Sequence, residues 1–173
     1  MSSNAYRSTH RLLKRAQDQM KRGLPEDVIA EGYRVYDRLF KATDPEKMAH
    51  LLTDYKFEKQ EHFIAIALNS VNQIIDFKEV TTGTVNKCPV EPRECFRFGI
   101  EKNAVSMIFA HNHPSGSTEP SQDDINITRM LCASGKILRI PVLDHIIIGK
   151  GGFTSLCRQD PDMFERTMQS TFS

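Results

Sequence analysis

The stretch from Val105 to Asp124 constrains this chain more than any other, because it joins a buried strand to a helix through a short polar loop. Val105 to Ala110 is an apolar run of the length expected of a buried strand. It leads directly into His111-Asn112-His113-Pro114-Ser115-Gly116, where proline and glycine turn the chain. The loop Ser115 to Pro120 then brings it to Ser121, and a helix should run from there to about Gly135.

The segments on either side fit the same plan. Phe63 to Leu68 reads as a second buried strand, and Asn69 to Asn72 as the turn of a hairpin whose other arm is Gln73 to Val80. Thr81 to Val90 should be extended, with a bulge at Gly83. Pro92-Arg93-Glu94 starts a helix expected to reach about Asn103. Further strands are expected at Val142 to Ile148 and Phe153 to Leu156, separated by the glycine-rich turn Gly149 to Gly152. The result is an α/β fold of the α+β kind, a mixed sheet flanked by helices over residues 56–173.

Residues 1–55 read as a helical N-terminal extension. Leu12, Ala16 and Met20 form an apolar stripe in a helix over 5–22 that should end at Gly23. Pro25 opens a second helix with Ile29, Tyr33, Tyr36 and Phe40 on one face, and Asp44-Pro45 opens a short third through Met48, Leu51 and Leu52. The first helix is basic, with Arg7, Arg11, Lys14, Arg15, Lys21 and Arg22 against Asp18 alone, so the nearly balanced whole chain is acidic elsewhere. Such a segment is a candidate contact for nucleic acid, although no aromatic residues interleave with its charges to stack on bases.

Length and composition suit one globular domain with an appendage. The apolar runs are too short to span a bilayer, no signal peptide is visible, and no membrane partner is expected. The acid-free first sixteen residues share the composition of a transit peptide, but short basic helices are common in soluble proteins. Cys88, Cys95, Cys132 and Cys157 form no CxxC pair, which disfavours a zinc finger and fits a reducing, cytoplasmic setting. No feature specifies an oligomeric state.

The chemistry concentrates at the strand-loop-helix unit. Alternate strand side chains share a face, so His111 and His113 project together and Asn112 turns away. Ser121 and Asp124 have the spacing of a capping box, so the acid sits in the first helical turn whether or not it binds anything. Two imidazoles and one carboxylate make the open three-ligand set that catalytic zinc uses. A proton carrier that is not itself a ligand would complete such a site, and Glu58, Glu61 and Glu94 are the candidates.

An upstream glutamate, His-x-His-Pro, six residues and Ser-x-x-Asp resembles the JAMM signature of MPN-domain metalloproteases and deubiquitinating isopeptidases. Glu61-His62-Phe63, Gly83-Thr84-Val85, Pro92-Arg93-Glu94, His111 to Gly116, and Asp144-His145 before Gly149 narrow the likeness to the RadC-like branch, over residues 58 to 157. The resemblance implies an MPN or cytidine-deaminase-like fold, Zn2+ held by His111, His113 and Asp124, Glu61 activating water, and Ser121 stabilising an oxyanion. It implies a zinc-dependent hydrolase of peptide or isopeptide bonds, acting on a peptide or protein substrate. The alternative is a DNA repair or recombination accessory protein. RadC-like proteins often carry glycine-containing helical hairpins for DNA, whereas residues 1–55 hold only Gly23 and Gly32 and show no such hairpin.

Three rival readings compete with this one. His145 is the strongest competing ligand, but a strand histidine beside Asp144 is expected to pack and hydrogen-bond near the site. The tripeptide His111-Asn112-His113 matches an HNH nuclease only in its letters, because that class disperses the named residues along its motif. A metal-free MPN scaffold would be expected to have lost ligands, and here the set is complete.

Overall fold

The computed structural model describes residues 44–83 and 90–165. The basic helix expected over 5–22 and the helix opening at Pro25 lie outside the described residues, as does most of the segment expected to be extended after Thr81. The described residues fall in one compact unit, so the Asp44-Pro45 helix belongs with the sheet.

That helix, α1 (Pro45–Leu51), starts where the Asp44 carboxylate accepts the Glu46 N–H at 3.0 Å. A 3-10 turn over Thr53–Phe57 leads into β1 (Glu61–Leu68). The turn after β1 is built by Asn69, whose side-chain oxygen accepts the N–H groups of Val71 and Gln73, and by Asn72 in the left-handed region at φ 59°. β2 is Ile74–Gly83. It outruns the expected end at Val80 because the β-branched Thr81 and Thr82 continue the pairing. The bulges fall at Ile75 and Val80, where β1 and β2 change register, and Gly83 instead pairs with Glu61.

α2 (Pro92–Glu101) ends two residues before the expected Asn103, which takes a left-handed φ of 53° and stops the helix. β3 (Ser106–Asn112) follows, then α3 (Gln122–Leu138), β4 (Val142–Gly149), β5 (Gly152–Ser155), α4 (Leu156–Gln159) and α5 (Pro161–Glu165). α3 passes through the expected stop at Gly135 and is capped by Arg139 at φ 56°. Gly135 serves packing instead, since a Cβ there would stand 2.5 Å from the Ile140 carbonyl oxygen and 3.1 Å from the Phe96 ring. Leu156 belongs to α4, not β5, because the Ser155 hydroxyl accepts the Arg158 N–H and starts a helix.

The sheet order is β2-β1-β3-β4-β5, parallel between β3 and β4 and antiparallel elsewhere. This is the mixed sheet with flanking helices that the sequence implies. One face carries Phe63, Ala65, Met107 and Phe109 against Phe96 and Phe98 of α2 and Leu131 of α3, all buried. On the other, α1 and the 3-10 turn bury Met48, Leu52 and Tyr55, with the Tyr55 ring 5.4 Å from that of His62. Every residue of β3 is buried, so the central strand is a rigid base for what its end presents.

Candidate metal centre

His111 lies in the last turns of β3 and His113 just beyond it, on one side of the strand, with ring centroids 4.8 Å apart. The His113 N–H goes to the Ile148 carbonyl at 2.9 Å, which carries the chain off β3 and along β4. The Lys150 N–H then binds the Gly116 carbonyl at 3.0 Å and pins the loop to the β4-β5 turn. Gly149 makes this approach possible, because a Cβ there would fall 2.5 Å from the Gly116 oxygen and 2.6 Å from that of Ser117.

The loop delivers Ser121 as the N-cap of α3. Its hydroxyl accepts the Asp124 N–H at 3.1 Å, and Asp124 Oδ2 accepts both the N–H and the O–H of Ser121 at 2.7 Å. This reciprocal cap fixes the Asp124 rotamer and turns Oδ1 toward His111 while Oδ2 also faces His113. Asp124 Oδ1 is 3.0 Å from His111 Nε2, Oδ2 is 3.3 Å from His113 Nε2, and the two Nε2 atoms are 3.0 Å apart. One ligand atom from each of the three residues lies within 4.8 Å of the others. Asp123, one position away, is exposed and outside this group.

The protons on the rings follow from their other partners. The Thr128 hydroxyl donates to the Asp124 carbonyl at 2.6 Å, so its oxygen can only accept from His145 Nδ1, also at 2.6 Å. His145 is wholly buried, and desolvation followed by the neighbouring His111 keeps it well below the ordinary histidine range, hence neutral. Its Nε2 therefore accepts from His111 Nδ1 at 2.8 Å. His113 Nδ1 donates to the Ser117 carbonyl at 3.2 Å. Both ligand-side Nε2 atoms are thus left with lone pairs that converge on a carboxylate.

Three Lewis bases facing one another at about 3 Å repel unless a cation stands among them. In the chain alone a proton takes that part: the Asp124 hydrogen bond raises the His113 pKa against the opposing effect of burial. Burial disfavours the Asp124 carboxylate, yet the facing His111 and His113 imidazoles and the Ser121 hydrogen bond outweigh it and hold the group far below the usual carboxyl range. Two imidazole nitrogens and one carboxylate are a donor set that a divalent transition metal accepts, so these residues can hold one.

Glu61 opens β1 and is half-buried. Phe63 pairs with His111, so Glu61, two residues back, stands across from His113, whose pKa its charge helps to raise. The other two glutamates are engaged elsewhere: Glu94 binds Arg97 at 2.6 Å, and Glu58 lies 4.0 Å from His62. Asp144 accepts hydrogen bonds from Ser155 Oγ, Cys157 N–H and the His145 N–H, at 2.6, 3.0 and 2.7 Å. It braces β4 beneath the site, and burial raises its pKa. Thr128 was not singled out by its sequence context, although its position four residues after Asp124 places it on the same helix face.

A family model described as the RadC-like JAB domain matches residues 42–161. The chain is 43% identical over 122 residues to a UPF0758 protein of Geobacillus sp. (strain WCH70), covering 70% of this chain and 54% of that protein. It is 44% identical over 126 residues to a UPF0758 protein of Microcystis aeruginosa (72% and 51%), and 46% identical over 113 residues to one of Desulforamulus reducens (65% and 50%). The chain thus spans about half the length of these relatives, and residues 42–161, which the family model matches, include the strand, loop and helix that carry His111, His113 and Asp124. With the mixed sheet and the His-His-Asp cluster in place, this chain belongs to the RadC-like JAB domain family.

Proposed function

We propose that this chain is a zinc-dependent hydrolase that cleaves a peptide or isopeptide bond. The observation that carries the reading is the convergence of the His111 and His113 Nε2 lone pairs and the Asp124 carboxylate, each oriented by a partner of its own. Zinc suits three N and O ligands with a fourth position open, and when bound it supplies Lewis acidity toward water and toward a substrate carbonyl.

The chain's own groups do the rest. Glu61 takes a proton from the attacking water in this reading and returns it to the leaving nitrogen, a general acid-base role that contributes about 10²- to 10⁴-fold. Ser121 keeps the Asp124 N–H as its donor while its own hydroxyl proton turns from Asp124 Oδ2 to the developing oxyanion. The described residues contain no helix long and apolar enough to cross a membrane, and Cys95, Cys132 and Cys157 are free thiols, as a reducing compartment maintains.

The test is cleavage of a quenched-fluorescent peptide library by the zinc-loaded full chain, beside Glu61→Gln. Cleavage that requires zinc and is lost in the variant while zinc stays bound supports the reading. Cleavage unaffected by chelation, or retained in Glu61→Gln, contradicts it.

A further inference from the structure

Asn112 stands between the two histidines but turns its side chain the other way, and it is only 1% exposed. Its Oδ1 accepts the His62 N–H at 2.8 Å, and its Nδ2 donates to the Gln60 carbonyl at 2.9 Å. Those two backbone groups flank Glu61.

The contact fills a gap in the sheet. The β1-β3 ladder ends at Phe63 and His111, and the His113 N–H has already been given to β4. Among the described residues, no β3 residue pairs with β1 at Glu61. The Asn112 amide offers one donor and one acceptor, as a peptide unit does, and extends the ladder by one step. On its other side Glu61 pairs with Gly83 of β2. Phe63 stacks on His111 at 6.0 Å and meets His145 edge-on at 5.3 Å, so the Glu61 side chain, two residues along, projects to the same face as the ligands.

We propose that Asn112 is a positioning residue for Glu61: by clamping the Gln60 carbonyl and the His62 N–H, it fixes the direction from which the carboxylate meets the His111-His113-Asp124 centre. The proposal rests on the reading of Glu61 as the proton carrier. An amide is required at this position, since a leucine leaves both backbone groups unsatisfied and an ionised carboxylate opposes the Gln60 oxygen.

Amide hydrogen exchange on the metal-free full chain tests the clamp without a substrate. Asn112→Leu should lower the His62 N–H protection factor by about tenfold, the loss of one buried hydrogen bond. Asn112→Ala supplies a second arm, should the leucine variant fail to fold: it removes the same donor and acceptor without adding bulk and should lower His62 protection likewise. Unchanged protection in these variants overturns the clamp.

The functional arm uses a peptide cleaved in the library assay, with zinc content measured alongside. Asn112→Leu should lower kcat by about tenfold or more with KM and bound zinc unchanged, and should cost nothing further in the Glu61→Gln background. An additive loss in the double variant overturns the positioning role and leaves Asn112 a purely structural residue. If Glu61→Gln alone retains cleavage, the reading of Glu61 fails, while the exchange result still decides whether the clamp exists.

Discussion

His111 Nδ1 lies 2.8 Å from His145 Nε2, and this one contact decides which nitrogen of His111 keeps its lone pair. The decision is passed along from the Asp124 carbonyl through Thr128 and His145, so one ligand's backbone sets the tautomer of another ligand's ring. The ring closes on itself where His111 Nε2 meets Asp124 Oδ1.

Thr128→Val keeps the shape of the side chain and removes the acceptor for His145 Nδ1. In the metal-free chain, nitrogen-15 NMR of the imidazoles should show neutral His111 as the Nδ1–H tautomer, with that preference lost in Thr128→Val and kept in Thr128→Ser. Zinc affinity should fall by about 10- to 100-fold in the valine variant, as expected when a partner that orients a ligand is lost. An unchanged tautomer and affinity would show that the relay does not orient His111.

The metal-free site should make stability depend on pH in a direction opposite to ordinary acid unfolding. His113 has its pKa raised above the ordinary 6.5, so its contribution is complete below that value and is lost as pH rises through the raised pKa. Asp124, depressed below 3.8, contributes above that value and loses its contribution only as pH falls far lower. His145, lowered and neutral, works against His113 by costing stability as pH falls below 6.5. Thermal unfolding should therefore show a decline as pH rises above 6.5 that His113→Gln removes. Zinc binding, which displaces the His113 proton, should tighten over the same range. A flat alkaline limb in the wild-type chain would contradict the pairing of His113 with Asp124.

Gly149→Ala should destabilise the chain by about 1–3 kcal/mol, because the new methyl meets two backbone oxygens that cannot both retreat. The displaced groups include the Ser117 carbonyl that orients His113, so zinc affinity should fall together with the unfolding midpoint. Ala at Gly151, where a Cβ meets nothing within 4 Å, is the control and should leave affinity unchanged. Equal effects at the two positions would remove the steric argument.

Much of this was legible in the sequence because it depends on local pattern. The run Val105 to Ala110 announced β3, and the spacing of Ser121 and Asp124 announced the cap that aims the ligand. The resemblance that singled out His111, His113 and Asp124 named three residues that the fold brings together, 13 positions apart at the extremes and drawn from a strand, the segment just beyond it and a helix. Other features had no local signature. Gly135 looked like a helix stop, but its role depends on Phe96 and Ile140 reaching it from elsewhere. Gly83 looked like a bulge, but bulges depend on the partner strand's register, which set them at Ile75 and Val80. Thr128, His145 and Asn112 act across three strands and a helix, and such contacts are encoded in topology, not in spacing along the chain.

His111, His113 and Asp124 are expected to hold one metal ion together, with His145 supporting them from behind. Elemental analysis of the purified full chain, beside Asp124→Ala and His145→Ala, measures this. One zinc per chain is expected in the wild type, with near-complete loss in Asp124→Ala and zinc that is retained but more easily removed by chelator in His145→Ala. A wild-type chain without stoichiometric metal, or a His145→Ala chain that loses zinc while Asp124→Ala keeps it, would contradict the assignment.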